Sequence, residues 1–547
     1  MSNFFCIRCW LGIALALLLT ACASPGQQPP GAAPADDALF SLQPVQSRQA
    51  LAQTPGANAY LQTLLQSPAS VDIRLVDVQA LRVAANNQTL SIPLPDGSTA
   101  RFKLMRIDQS MPGMTGWVGD IPSDRKQRFT LPAEVDMDPF NWVSLLREGD
   151  KVVGSIHVAG QAYRLEPIGA GKHVLVKVDE SRLPSQAGDT VQGPPGGQKA
   201  PLGQAPTSSH STIRVLLVTT DESRAKFPDH RLQVAHAFQL ANQFLINSRV
   251  DLTYELAGFF DASYNGTGRD RDQQLRDLRY SDRALGKAVY VQRDALGADL
   301  VAMLTWNIEG CGYAYVTSTK QTAYSLFECF DGVLAHELGH NLGTTHEWKG
   351  VEDDRGPPYM FGYGVTSPRA FHTVMRTSHK AIPYFSNPRL QFDGIPMGTV
   401  EHEDVARRFN EYRETVENFY PRTLTVTVYE HSNFEGRSCT LALVGTSGKL
   451  VGKACGEGWE GMISSARVHG ITPDSQVYFQ TPRGRAEERY TSQSYQGDLE
   501  IAAFASTDPL PAGVYRARVG DSVNDKIDTV FYWDRASARG QPPMAPH

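Results

Sequence analysis

The sequence predicts a multidomain α+β protein with a β-rich N-terminal domain, an α/β domain in the middle and an all-β C-terminal domain. Apolar and polar residues alternate before residue 184 and again after residue 422, as in antiparallel strands with one buried face. Between these regions, short apolar runs that suit buried strands flank a segment with helical periodicity. The chain has 547 residues, of which 41% are hydrophobic, so it is long enough for about three domains.

The first 22 residues are typical of an exported protein. Arg8 precedes an apolar run from Trp10 to Leu19, and the sequence L-T-A-C then ends at Cys22. This pattern predicts a signal peptide over 1–22 and resembles bacterial lipoprotein signals, in which such a cysteine carries the lipid. Because Ala23 rather than aspartate follows, the resemblance implies an outer-membrane lipoprotein, held to the membrane only by this lipid. An ordinary signal peptide cleaved nearby is the alternative.

Two segments have the composition of linkers. Residues 23–37 and 184–210 are rich in proline, glycine and alanine or serine, which predicts a flexible tether and an exposed linker that proteases cut easily. Residues 38–183 lie between them and alternate apolar and polar residues, as in K-V-V-G-S-I-H-V at 151–158. We expect this segment to form an antiparallel β-rich domain.

The most specific pattern in the chain is H-E-L-G-H-N-L-G-T-T-H at residues 336–346. His336 and His340 are four residues apart, so on a helix they share one face and can bind one metal ion. Gly343 permits a positive φ, and the resulting turn can bring His346 back towards them. Three imidazoles leave the fourth position of a zinc ion open for water and substrate, which distinguishes a catalytic zinc site from a structural one.

Glu337 follows the first predicted ligand and supplies a carboxylate. It can take a proton from a zinc-activated water and pass it to the leaving amine. The pattern predicts a zinc endopeptidase that acts on proteins or peptides. The alternative is a surface binding or adhesion protein with an inactive peptidase domain, and the presence of Glu337 argues against it. A net charge of -6 without a clustered basic excess gives no reason to expect a nucleic-acid partner.

The complete pattern H-E-x-x-H-x-x-G-x-x-H resembles that of the metzincin metallopeptidases. The phrases T-V-M and I-P-Y-F-S-N-P that follow, and I-R-V-L-L-V-T-T at 213–220, are similar to those of bacterial reprolysin-like members. The resemblance implies that residues 211–422 form an α/β metzincin catalytic domain. It also implies that Met375 is the Met-turn residue beneath the metal, with Met360 as the competing candidate.

The same resemblance implies an edge strand that borders the cleft and pairs with the backbone of extended substrates. We expect this strand near residues 312–316. Its predicted substrate-binding residues are Gly312, Tyr313, Ala314 and Tyr315. Two positions depart from related families: Thr377 stands where astacins and serralysins have a tyrosine that approaches zinc, and Glu347 follows the third histidine as in astacins. The subfamily therefore stays open.

The N-terminal domain has its own resemblance to a family of propeptides. Its G-W-V-G and G-S-I-H-V-A-G-Q-A-Y-R-L phrases are similar to those that precede this kind of bacterial metallopeptidase. This implies a zymogen in which the domain keeps the enzyme latent or helps it to fold. A retained stalk or binding domain is the alternative. No cysteine occurs between residues 23 and 310, which excludes a thiolate plug on the zinc.

Of the seven cysteines, four remain once the signal peptide and the lipidated residue are set aside. They are Cys311, Cys329, Cys439 and Cys455. Four cysteines allow three pairings, and proximity favours Cys311 with Cys329 and Cys439 with Cys455. Each pair would close a short loop and stabilise the fold by about 3 kcal/mol. A free thiol pair that binds metal is the alternative.

Residues 423–547 resemble a βγ-crystallin-like Greek-key domain. The matching positions are Tyr429, Phe434 and Gly436 of an aromatic hairpin and the paired serines Ser464 and Ser465. The family's Ca²⁺ motif has two Asp or Asn residues before these serines, but this chain has Glu460 and Gly461, which argues against a Ca²⁺ site. The second repeat, around 477–515, looks degraded. A structural β-domain without a ligand is the alternative.

Overall fold

The computed structural model describes residues 37–534 with the exception of several short segments. These segments are 130–132, 185–189, 193–204, 207, 317–318, 351–358, 368, 378–380, 421–422, 445–446, 460, 473–474, 494, 496 and 505. The predicted signal peptide, Cys22, nearly all of the first linker and Glu460 therefore lie outside the described residues. Within the described part, no helix has both the length and the apolar character needed to cross a membrane.

One antiparallel sheet organises the N-terminal domain. Its described strands are β1 (Phe40–Leu42), β2 (Ser70–Val78), β3 (Thr89–Pro93), β4 (Thr99–Asp108), β5 (Thr115–Asp120), β6 (Trp142–Glu148), β7 (Lys151–Val158), β8 (Gln161–Gly169) and β9 (Lys172–Val178), and its described helices are α1 (Arg48–Ala52), α2 (Ala59–Gln66) and α3 (Arg125–Arg128). The strands pair in the order β1-β2-β9-β8-β7-β6-β5-β4-β3. This region is β-rich, as the alternating sequence predicts.

Successive side chains of β6 are buried in two different cores, because neighbouring residues of a strand point to opposite faces of the sheet. Val143 and Leu145 are buried within the N-terminal domain itself. Trp142 and Leu146 instead join clusters that include residues of the middle domain. The sheet is therefore buried on both faces.

The middle domain is an α/β layer. Its described strands are β10 (Thr190–Gln192), β11 (Ser211–Thr219), β12 (Leu252–Asp261), β13 (Leu300–Leu304), β14 (Gly312–Val316), β15 (Tyr324–Phe327), β16 (Thr345–Glu347), β17 (Phe361–Gly362), β18 (Gly364–Val365), β19 (Phe371–His372), β20 (Asn387–Phe392) and β21 (Ile395–Met397). Its described helices are α4 (Asp221–Lys226), α5 (His230–Asn247), α6 (Arg271–Arg279), α7 (Ala284–Leu296), α8 (Val333–Asn341) and α9 (Val405–Glu417). The main sheet has the order β10-β14-β15-β13-β11-β12.

The predicted apolar runs of this domain form the elements expected of them. The run at 213–220 lies almost wholly in β11, and the helical segment lies in α5. Strand β14 has the predicted bounds and is antiparallel to β15. One expectation is wrong in part: the linker over 184–210 is not free of structure, because β10 lies within it and pairs with β14. The strand predicted at the edge of the sheet is therefore covered.

The C-terminal domain contains two antiparallel sheets in its described residues. Its strands are β22 (Thr423–Tyr429), β23 (Ser438–Val444), β24 (Ser447–Leu450), β25 (Ser465–Ile471), β26 (Ser475–Gln480), β27 (Glu487–Ser492), β28 (Gly497–Ile501), β29 (Val514–Val519) and β30 (Thr529–Asp534), and α10 (Val451–Cys455) is its helix. The sheets have the orders β23-β22-β25-β28 and β24-β30-β26-β27-β29. Strand β24 comes from the first half of the domain (β22 to β25) but lies in the second sheet. Strand β28 comes from the second half (β26 to β30) but lies in the first sheet.

The second repeat of this domain keeps its strands although its family signature is degraded. Its residues around 477–515 form strands β26 to β29, as expected of an all-β domain. The alternating apolar residues Val477, Phe479 and Tyr490 are fully buried in the domain core. Burial of this alternating face preserves the strands although the signature residues are lost.

Candidate active site

Helix α8 carries the first half of the histidine pattern. Two residues with positive φ, Asp331 (62°) and Gly332 (95°), precede its first residue, and Gly343 (84°) follows its end. Positive φ costs glycine little, so Gly343 allows the sharp turn that the sequence predicts after the helix. All nine residues of α8 are buried. The helix is therefore held firmly within the domain.

The three predicted ligands converge at one point. His336 and His340 lie on α8, and His346 lies on β16 beyond the turn. Their metal-binding atoms all lie within 4.8 Å of one another, and the Nε2 atoms of His336 and His340 are 3.0 Å apart. In the described part of the chain, these three histidines form the cluster of possible ligand side chains that could hold a metal ion.

Backbone carbonyls orient two of the rings. Nδ1 of His336 lies 2.7 Å from the carbonyl oxygen of Val374, and Nδ1 of His340 lies 2.9 Å from that of Thr344. A carbonyl oxygen only accepts hydrogen bonds, so Nδ1 carries the proton in each neutral ring and donates it. Nε2 is then left with a lone pair that points towards the other histidines. Neutral imidazoles held in this way suit a divalent metal ion such as zinc.

The carboxylate of Glu337 lies beside the first residue of β14. Glu337 is fully buried, and a Cβ atom added to Gly312 would overlap its carboxylate. Only glycine at position 312 leaves room for the carboxylate in this position. The structure thus brings the predicted base, the predicted ligands and the predicted substrate strand together.

Met375 lies beneath α8. It is fully buried, and its sulfur atom would be 2.5 Å from a Cβ atom on Gly339, between the two helical histidines. Val374, which orients His336, is its neighbour in the chain. The competing candidate, Met360, packs elsewhere with Val316 and other residues.

Side chains of β14 alternate about the strand, as the strand period requires. Gly312 faces Glu337. Ala314, two residues later in the strand, lies on the same face because side chains alternate. Tyr313 and Tyr315 pack in a separate cluster on the other face of the sheet, where the Tyr313 hydroxyl donates to Asp272. The two tyrosines therefore contribute their backbone, and not their side chains, to the metal side of the strand.

Two contacts near the site had no predicted role. The Asn341 side chain donates to the carbonyl oxygen of Tyr315 at 2.9 Å and so fastens α8 to β14. Thr377 donates to the Glu347 carboxylate at 3.1 Å, which connects the segment after Met375 to β16. A buried asparagine inside the histidine pattern was the available signal for the first contact. The second joins the two positions that depart from related families.

Both predicted disulfides are formed. Cys311 and Cys329 are bonded next to Gly312, and Cys439 and Cys455 are bonded in the C-terminal domain. The first disulfide braces the start of β14. The alternative of a metal site built from free thiols is therefore excluded for these four residues.

Strand β10 pairs with the strand along which the resemblance predicts that extended substrates bind. The pairing is parallel, with Thr190 opposite Ala314, and it continues over the next two residues. A cavity of about 370 Å³ lies between the N-terminal and middle domains, with His336 and Cys311, the residue before β14, in its wall.

A family model described as metallo-peptidase family M12 matches residues 209–386, which include all three histidines and Met375. A peptidyl-Asp metalloendopeptidase of Xanthomonas campestris pv. campestris is 31% identical over 392 residues, which are 69% of this chain and 92% of the relative. The chain belongs to metallopeptidase family M12. The predicted reprolysin-like metalloendopeptidase is thereby confirmed.

Other relatives of this M12 metallopeptidase extend the comparison. A peptidyl-Asp metalloendopeptidase of Stenotrophomonas maltophilia (strain R551-3) is 31% identical over 402 residues, 70% of this chain and 93% of the relative. Among solved structures, metalloproteinase-II from Bacteroides fragilis aligns with a TM-score of 0.30 and 12% identity, over 54% of this chain and 86% of that one. A βγ-crystallin domain from Clostridium beijerinckii aligns with a TM-score of 0.12 and 15% identity, over 20% of this chain and 96% of that one.

Proposed function

We propose that this metalloendopeptidase binds zinc through His336, His340 and His346 and uses Glu337 as its general base. The observation that supports this most directly is the convergence of the three histidines within 4.8 Å, beside a buried carboxylate. The donor set of three imidazoles suits zinc and leaves one coordination position open. When bound, zinc would act as a Lewis acid and lower the pKa of its bound water to about 7.

The residues of the chain then have separate tasks. Glu337 accepts a proton from the attacking water and delivers it to the amine that leaves. The carbonyl oxygens of Val374 and Thr344 keep two imidazoles in the ligating tautomer. Met375 supports the helix from below, and Gly312 leaves room for the carboxylate.

Substrates would bind as extended chains along β14. Backbone pairing of this kind tolerates many sequences, which suits an enzyme that cleaves proteins or peptides. The relatives named above are peptidyl-Asp metalloendopeptidases.

The N-terminal domain would make the protein a zymogen. Strand β10 pairs with β14, and the N-terminal sheet closes the cavity beside His336. Both features keep an extended substrate away from the metal-binding site. The cover is steric, in agreement with the absence of cysteine from residues 23–310. Cleavage of the linker over 184–210 would allow the domain to leave.

Export and anchoring are part of the same proposal. The sequence over 1–22 supports secretion, and Cys22 supports a lipid anchor in the outer membrane. The two disulfides suit an oxidising compartment outside the cytoplasm. We propose that the C-terminal domain has a βγ-crystallin-like Greek-key fold. We assign no Ca²⁺ to it, because Gly461 offers no side-chain ligand.

The test is the hydrolysis of casein by the full-length protein after limited proteolysis of the linker. Replacement of Glu337→Gln keeps the shape of the side chain, and we expect it to lower the rate by about 10²- to 10⁴-fold. The matched control is Glu417→Gln, a buried glutamate that accepts from the Thr212 amide far along the sheet. Equal rates for wild type and Glu337→Gln would refute the proposed mechanism.

A further inference from the structure

Arg376 lies in the chain between two residues that contact the elements of the histidine site. Met375 precedes it and packs beneath α8. Thr377 follows it and donates to the carboxylate of Glu347, the residue after His346. Both neighbours are thus tied to elements that carry metal ligands. Arg376 is therefore held at the border of the metal-binding site.

The guanidinium of Arg376 lies against the backbone of β18. A Cβ atom added to Gly364 would overlap its Nη1 atom and would lie 2.8 Å from its Cζ atom. Gly362, which pairs with Glu347 of β16, would with a Cβ atom come within 2.7 Å of the Arg376 backbone nitrogen. Two glycines thus leave room for this residue beside the strand that carries the third histidine.

This guanidinium is half-buried and has no anionic partner. Among the arginines that the structure describes between residues 211 and 420, it is the one with no ion pair, no side-chain hydrogen bond and no contact with an aromatic ring. Burial of a charge is costly unless the charge is paired. An arginine that has lost part of its hydration without gaining a partner is suited to bind an anion that arrives with a ligand.

Other cations near the histidines are already engaged. Nζ of Lys349 lies 3.7 Å from Oε1 of Glu347. Arg408 is fully buried and donates to the carbonyl oxygen of Gly343 at 3.3 Å. Among the described residues around the site, Arg376 is therefore the cation that remains available to a substrate.

The guanidinium is within reach of a residue that flanks the scissile bond. Gly364, which it contacts, is two residues beyond Gly362, and Gly362 pairs with the residue after the third histidine. Consecutive residues of an extended chain are about 3.3 Å apart, so this separation is about 7 Å. The backbone and side chain of an aspartate or glutamate next to the bond at the metal can together span it. All of these residues belong to the catalytic domain and stay in place when the N-terminal domain leaves.

We propose that Arg376 determines the specificity of the enzyme by binding the carboxylate of an acidic substrate residue that flanks the scissile bond. This inference rests on the proposed peptidase function and names the side chain that its site prefers. A guanidinium can donate two parallel hydrogen bonds to one carboxylate. A lysine or arginine of the substrate would meet a like charge, and an apolar residue would leave the guanidinium unpaired.

The test uses the full chain, cut in the linker by subtilisin, after which the subtilisin is inactivated with a serine-protease inhibitor. The enzyme is then incubated with a peptide library made from a digested proteome, with and without a metal chelator. Mass spectrometry gives the residues on both sides of each chelator-sensitive cut. We expect aspartate or glutamate on one side to be favoured over asparagine and glutamine by about tenfold to a hundredfold.

Kinetics on one pair of synthetic peptides then test the role of Arg376. The pair contains a preferred site and the same site with the acidic residue replaced by its amide. Arg376→Gln should raise KM for the acidic peptide to that of the amide peptide and leave the amide peptide unaffected. Arg376→Lys should keep part of the preference, because it keeps the charge. A ratio measured within one enzyme preparation does not depend on the fraction that is folded.

Two further variants complete the design. Arg376→Glu should reverse the charge preference and favour lysine or arginine at the same position of the substrate. The matched control is Arg276→Gln, which removes an exposed arginine of α6 that pairs with Asp272. It should leave both the rate and the preference unchanged.

The outcomes separate this inference from the proposed function. Chelator-sensitive cuts without an acidic preference, or with an acidic preference that Arg376→Gln leaves unchanged, would overturn the inference and leave the peptidase function intact. An absence of chelator-sensitive cuts by the wild-type enzyme would overturn the proposed function and this inference with it.

Discussion

The N-terminal sheet and the catalytic domain share one hydrophobic core, whereas the C-terminal domain has a core of its own. Trp142 of β6 contacts Phe244 of α5, with the ring centroids 6.2 Å apart, and both belong to a cluster that extends to α8. In the described residues of the C-terminal domain, the buried cluster runs from Leu424 to Tyr532 and includes no residue of the other domains. Two β-rich domains of one chain are thus attached to the enzyme in different ways.

Helix α5 shows why the N-terminal contact is close and yet separable. The helix is buried from Leu232 to Leu245, but it presents a polar stripe to the N-terminal sheet. His236 and Gln239 both contact the Ser144 hydroxyl, and Gln233 donates to Glu166. Polar groups of this kind can exchange their partners for water. The contact is therefore suited to a domain that leaves after folding.

The largest effect should come from the aromatic residues that anchor each domain. Truncation of a buried tryptophan costs about 3–5 kcal/mol. Trp142→Ala should weaken the N-terminal contact and raise casein hydrolysis by the uncut protein about 10²-fold or more. Trp459→Ala removes an equally buried tryptophan from the C-terminal core and should leave the activity unchanged. Equal activities for the two variants would contradict the difference between the domains.

Acid should destabilise the N-terminal and middle domains, which share a core, more than the C-terminal domain. Burial lowers the pKa of His173 and His236 from 6.5 to about 4. Below pH 6.5 the unfolded chain binds these protons and the folded protein does not, so stability is lost as the pH falls from 6.5 to about 4. Each histidine contributes roughly 3 kcal/mol to this loss. In the C-terminal domain, His431 is exposed and His469 is half-buried. As the pH falls, the Tm of the N-terminal and middle domains should therefore decline before that of the C-terminal domain.

The pH profile has a clear control. His236→Gln can still donate from its side chain to Ser144 but does not titrate, and it should flatten the decline between pH 6.5 and 4. Fluorescence and limited proteolysis show which domain unfolds first in acid. If it is the C-terminal domain, the loss of stability does not come from His173 and His236, and the prediction is wrong.

The smallest effect on activity should come from loss of the disulfide in the C-terminal domain. Replacement of Cys439 and Cys455 by serine should destabilise that domain by about 3 kcal/mol. We expect no change in the rate of casein hydrolysis by the cut enzyme. Replacement of Cys311 and Cys329 frees the start of β14, and it should reduce the rate as well as the Tm. A loss of activity in the first variant would show that the C-terminal domain supports the active site.

The histidine site could be predicted from sequence because metal geometry ties residue types to fixed spacings. The bounds of β14 and the position of Met375 beneath the histidine helix could also be predicted, because the resemblance implies them. Strand β10 could not be predicted. It has three residues in a linker rich in proline and glycine, and its pairing with β14 depends on contacts far along the chain.

A further feature lay beyond the sequence. The contact between Arg164 of β8 and Asp331, just before α8, joins residues 167 positions apart, and nothing in the sequence pairs them. The strands of the C-terminal domain, by contrast, could be predicted even in the second repeat, because the apolar alternation is kept at Val477 and Phe479 although the signature is degraded.

The zinc centre is the central claim, and X-ray absorption at the zinc edge of the purified full-length protein tests it most directly. The account predicts one zinc per chain with three imidazole nitrogens at about 2.0–2.1 Å and an oxygen ligand from water. His346→Ala should remove one nitrogen and lower the zinc content, whereas His230→Ala, on the N-terminal turn of α5, should change neither. A spectrum with sulfur ligands, or one that His346→Ala does not alter, would contradict the account.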